Sequence, residues 1–114
     1  SELAARHGWI ASKGSGSSAL KTIEHLRYSC VIGHTHRQSQ VFKTAHSING
    51  EPRTLTGVEA GTLAKVQGGL GYAIAPDWAN GFATARVYDD GTFKVDLATY
   101  VDRALMWGDW RCKA

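Results

Sequence analysis

Two histidines separated by a single residue, His34 and His36, are the first side chains in this sequence that could do chemistry. In an extended segment, residues two apart point to the same side. Two imidazoles placed that way could ligate a transition metal, for which histidine is the commonest nitrogen donor. They could also each hold one ion of a close pair, since two-metal sites space their ions about 3.5–4 Å apart. Gly33 precedes them and allows a bend or a close backbone approach at a strand end. A third histidine, His7, is followed by Gly8. If the strand ending at His7 ran parallel to the strand ending at Gly33, His7 would lie beside His34. The other reading of a His-x-His pair is a surface or core pair with no ligand. Spacing alone leaves that reading open.

Other residues carry weaker signals. Arg37 follows the histidines and could face a substrate phosphate or be solvated. Glu59 could accept a hydrogen bond from a metal-bound imidazole or be solvated at a strand end. His25 and His46 read as surface or packing residues. Trp78, Trp107 and Trp110 could stack on bases, or could pack in a core or interface. The Gly14-Ser15-Gly16 loop lacks the lysine and spacing of a phosphate-binding P-loop. Cys30 and Cys112 stand far apart with no CxxC partner, so no thiolate zinc site is signalled. Cys30 reads as a buried thiol. A reducing, cytoplasmic setting is the default for such cysteine usage.

The elements that would position these residues follow from periodicity and turn residues. A strand is expected up to His7. Ser17 or Ser18 is expected to cap a helix running to about Tyr28. Leu20, Ile23 and Leu26 would share its inner face, with Lys21, Glu24 and Arg27 outward. Cys30-Val31-Ile32 is a compact apolar run and reads as a buried strand. The helix between the two strands supplies the crossover that parallel pairing needs. Residues 40–47 and 53–58 are expected to pair across the Asn49-Gly50 turn. Residues 82–88 and 92–100 form a second expected hairpin, with Phe93, Val95 and Leu97 on one face. Gly68-Gly69-Leu70-Gly71 and the segment 75–81 read as loops. The last dozen residues carry no clear pattern.

The 114 residues fit a single domain, 1–114, of mixed class, α/β or α+β, with a mixed β-sheet layered with one helix. No run of about 18 apolar residues exists, so no membrane helix is expected. The N-terminus has no signal-peptide h-region. The net charge of +3 is mild. Basic residues are scattered, which makes nucleic acid a weak expectation as a partner.

Val31-Ile32-Gly33-His34-Thr35-His36-Arg37 resembles the terminal GHTH motif of calcineurin-like metallophosphoesterases. His7-Gly8 is similar to that family's upstream histidine in type and distance. Gly61-Thr62-Leu63, the segment 77–82 and the Asp89-Asp90-Gly91 hairpin resemble its closing strands, particularly in bacterial and phage members. The resemblance implies the C-terminal half of a metallophosphoesterase β-sandwich. It implies that His7 and His34 ligate one divalent metal and His36 a second, the metals being manganese, iron or zinc. It implies a phosphate ester as substrate. The family's Asp-x-His, Gly-Asp-x-x-Asp and Gly-Asn-His motifs have no counterpart here. The chain alone is therefore expected to be inert or nearly so, with partial or no metal occupancy. Strands that would pair with the absent half are expected to present exposed edges, for which a homo-oligomer or a complementing N-terminal polypeptide would be a natural remedy. The alternative is a non-catalytic binding or assembly module that keeps the fold and acts through self-association or a partner.

Overall fold

The computed structural model describes residues 3–10, 14, 16–46, 48, 50–64 and 78–113. The elements in chain order are β1 (Leu3–Arg6), α1 (Ser17–Leu26), β2 (Ser29–Ile32), β3 (Gln38–Ala45), β4 (Arg53–Ala60), β5 (Asn80–Val87), β6 (Phe93–Val101), β7 (Ala104–Trp107) and β8 (Trp110–Lys113). They form a mixed α+β structure of two four-stranded sheets and one helix. The expected loops at 68–71 and 75–77, and Asn49 of the expected turn, lie outside the described residues.

The first sheet has the order β1-β2-β4-β3. β1 and β2 run parallel, with Arg6 opposite Ile32. β4 adds to β2, also parallel, and β3 pairs antiparallel with β4 over eight residue pairs. α1 is the crossover between β1 and β2, as the apolar spacing implied. Its cap differs from the expectation. Gly16, not a serine, is the N-cap, in a left-handed conformation with no side-chain bond. A Cβ at Gly16 would lie 2.9 Å from Val41 Cγ1, so the close fit excludes a serine there. The buried stripe of α1 is Ser18, Ala19, Thr22 and Ile23, rotated from the expected Leu20-Ile23-Leu26 face. The cause is Gly57 of β4. A Cβ there would meet the Ala19 carbonyl oxygen at 2.9 Å, so the helix backbone presses directly on the strand. Leu20 and Leu26 flank this contact and pack against the core of Ile23, Cys30, Ile32 and Leu55.

The second sheet is an antiparallel meander, β5-β6-β7-β8. The β7–β8 hairpin in the last dozen residues was not expected from the sequence. One face of this sheet aligns Phe82, Ala98, Trp107 and Trp110 across four strands. Phe82, Trp107 and Trp110 stay substantially exposed, although Ala98 beneath them is buried. The indole N–H of Trp107 donates to Thr84 Oγ1 at 2.9 Å. The tryptophans of this hairpin therefore lie on a surface, not in a core.

Gln38 joins the two sheets. Its amide Nε2 donates to Ala60 O at 3.2 Å in the first sheet and to Ala98 O at 2.8 Å in the second. A short parallel bridge between Thr62 and Asn80 runs alongside. Among the described residues no helix is long and apolar enough to cross a membrane.

Candidate functional site

The carboxyl ends of β1 and β2 lie side by side because the two strands are parallel and in register. In sheets of this kind, sites collect where the chain leaves the strand ends. The His7 carbonyl accepts from the Gly33 N–H at 3.2 Å and from the His34 N–H at 2.8 Å. Gly8 then turns the chain away with φ +93°. A Cβ on Gly8 would press on Ile32 and His34 at 3.3–3.4 Å, so glycine is what lets the two strand ends stay together. The rings of His7 and His34 meet edge to face, with centroids 5.2 Å apart. The expected convergence of these two histidines is present.

His36 does not join them by strand alternation. The chain leaves β2 in a turn, with the His36 N–H 3.4 Å from Gly33 O, and His36 itself has φ +60°. Alternation of faces applies only to extended backbone, so the same-side geometry expected for His34 and His36 is not available. The His36 ring instead packs against Trp78, with centroids 4.6 Å apart. Its carbonyl accepts from the Ala79 N–H at 2.9 Å.

A buried polar cluster lies under this turn. Glu59, on inner strand β4, is fully buried. Its Oε2 accepts from the Gly16 N–H and from Ser39 Oγ, both at 2.5 Å. Its Oε1 accepts from Thr35 Oγ1 at 2.8 Å and from Arg37 Nη2 at 3.2 Å. Burial pushes the Glu59 carboxyl up. The bonds from Ser39, Thr35 and the Gly16 N–H, together with the Arg37 charge, outweigh it and hold the carboxyl below its ordinary value. Glu59 is thus neither solvated nor bonded to an imidazole among the described contacts.

Arg37 also differs from its expected place. It is 6% exposed, and its guanidinium reaches Ser18 Oγ at 2.9 Å as well as Glu59. Both of these bonds are made by Nη2, so that nitrogen is directed into the buried cluster and Arg37 is not solvated. The sequence reading missed the roles of Thr35, Ser18 and Ser39. The signal for Glu59 was present: an acid inside the run Leu55–Ala60, on a strand whose neighbours are apolar or small.

The remaining singled-out residues lie apart. His25 is exposed on α1, with its ring 5.8 Å from Trp9, and His46 is exposed beyond β3. Cys30 is buried, which raises its thiol pKa despite the nearby Arg6 charge, and Cys112 is exposed.

Two imidazoles that share one tetrahedral ion through metal–nitrogen bonds of about 2 Å have ring centres roughly 5 Å apart. The His7–His34 spacing fits that arrangement. Two nitrogen donors are only part of a coordination sphere. Among the described residues no group of three or more histidine, cysteine or acidic side chains is placed to hold a metal ion. No protein-family model, curated protein or solved structure matches this chain.

Proposed function

We propose that this chain supplies the C-terminal half of a metal-dependent phosphoesterase site, with His7 and His34 as ligands of one divalent ion and His36 as a ligand of a second. The observation that supports it best is the meeting of His7 and His34 at the carboxyl ends of two adjacent parallel strands. That pairing needs the β1–α1–β2 crossover and Gly8, whose φ of +93° and close approach to Ile32 and His34 leave no room for a side chain. A divalent ion at such a place supplies Lewis-acid stabilisation of a phosphate ester and an activated water. The chain's own part is to fix two imidazoles through the His7 carbonyl and to hold the His34–His36 turn over the Glu59 cluster. The C-terminal half of a β-sandwich is the architecture this reading assigns to the two sheets. The missing carboxylate ligands would come from a complementing polypeptide.

Equilibrium titration with zinc and with manganese tests the reading. One ion is expected to bind through His7 and His34. His34→Ala and His7→Ala should each weaken that binding roughly 100-fold or more, since even outer-shell losses cost 10–100-fold. A generic phosphodiester should not turn over with the chain alone. Metal binding left unchanged in both alanine variants would sink the ligand assignment. Turnover with two ions bound to the chain alone would refute its incompleteness.

A further inference from the structure

His36 belongs to a small group of non-glycine residues with positive φ, the others among the described residues being Arg27, Asp102 and Arg103. Arg27 caps the C-terminus of α1, and Asp102 and Arg103 form the two-residue turn between β6 and β7. Those three places demand a left-handed backbone. His36 is neither a helix cap nor part of a hairpin turn. A left-handed conformation is costly for a residue with a Cβ and persists only where the surroundings impose it.

The imposing contact is on both sides of His36. Thr35 and Arg37, its two chain neighbours, bond to the same oxygen, Glu59 Oε1, at 2.8 and 3.2 Å. The Thr35 hydroxyl closes the loop by accepting from the Arg37 N–H at 3.4 Å. Glu59 cannot follow these residues if they move. Its other oxygen is held by the Gly16 N–H and Ser39, and its backbone lies in β4, an inner strand of the sheet.

We infer that Glu59 is a positioning residue for His36: by gripping Thr35 and Arg37 it fixes the left-handed backbone between them and so aims the imidazole at Trp78. His34 depends on different bonds, those to the His7 carbonyl. The clamp therefore sets one histidine of the turn independently of the other. Calling His36 the ligand of a separate ion rests on the phosphoesterase reading; its aim does not.

The test is an imidazole NMR spectrum of the full 114-residue chain, isotope-labelled at histidine. Wild-type His36 should show a ring-current shift from Trp78, which Trp78→Leu identifies by abolishing it. Glu59→Gln and Thr35→Val should each remove at least half of that shift and move the His7 and His34 signals far less. Thr35→Ser, which keeps the hydroxyl, should restore the wild-type spectrum. The double variant should be no worse than the stronger single one, because both act through one contact. Thr35→Val keeps the test available if Glu59→Gln does not fold. A folded Thr35→Val with an unmoved His36 signal overturns the inference. So do equal displacements of all three histidines. A parallel zinc titration separates the two claims: zinc affinity left unchanged by His34→Ala defeats the ligand assignment on which the phosphoesterase reading rests, while the His36 shifts still decide the clamp.

Discussion

Glu59 carries most of the chemistry of the described site, and it does so while fully buried. A buried charge is tolerated only when it is paired and its lone pairs are satisfied. Four donors meet that condition here: Gly16, Thr35, Ser39 and Arg37. Together they hold the carboxyl below the ordinary glutamate value, which is about 4.3. The sign of the pH effect follows. A depressed carboxylate adds stability that is fully present above the unfolded-state value and is lost as pH falls through the folded-state value. Urea unfolding of the wild type should therefore weaken steadily below about pH 4. Glu59→Gln should lose that part of the acid sensitivity, and Glu59→Ala should cost about 3–5 kcal/mol at neutral pH by stranding Arg37. Equal acid slopes for wild type and Glu59→Gln would show that the cluster does not titrate as described. The sequence exposed only part of this. His7 and His34 could be paired from it because a strand, a helix and a strand between two His-Gly and Gly-His boundaries leave few topologies. His36 and Arg37 could not be placed. Their directions depend on one left-handed residue and one buried acid, and neither leaves a periodic trace.

The elements divide in the same way. α1, β2 and the two long hairpins could be read from spacing, with ends shifted by a few residues, and β1 only from the His7-Gly8 boundary. The stripe of α1 was misjudged because small residues, not large ones, make its contact. Ser18, Ala19 and Thr22 sit on the strand because Gly57 has no side chain to hold the helix away. The β6–β7 turn left no signal at all. Asp102 and Arg103 have φ of +51° and +64°, the pattern of a type I′ hairpin turn. Such turns usually announce themselves with Asn-Gly or Asp-Gly. Here arginine occupies the place that glycine favours, at a conformational cost. Arg103→Gly should accordingly stabilise the protein by about 1 kcal/mol, since glycine removes the left-handed penalty. A rise in the urea midpoint at constant slope is the expected result. A lower midpoint would show that Arg103 makes contacts worth more than its backbone strain.

At the scale of the whole molecule, the two sheets meet beside the histidine turn. The Gln38 amide bridges Ala60 and Ala98, and Thr99 Oγ1 donates to Gln38 Oε1 at 2.7 Å. Asn80 Nδ2 donates to Thr62 O and Ala64 O, at 3.1 and 2.7 Å. A Cβ on Gly81 would collide with the Ala98 carbonyl and the Gln38 amide, so the joint has no room for a side chain. The same joint reaches the site, because the Ala79 N–H holds the His36 carbonyl and Trp78 packs on its ring. β5 therefore starts from the residues that touch His36, and the placement of the second sheet and of that imidazole are coupled. Gln38→Ala removes the bonds to Ala60, Ala98 and Thr99 and leaves carbonyls at the joint without their donor, at a cost of about 1–3 kcal/mol. The loss should be local. Hydrogen exchange should quicken at the amides of Gly81 and Thr99, while the β2–β4 amides around Val31 and Val58 keep their protection. The His36 signal should move with the second sheet, and the His7–His34 pair should stay, since its bonds lie wholly within the first. Uniform loss of protection across both sheets would instead mean that the two sheets unfold as one unit and that Gln38 carries global stability, not a separable joint.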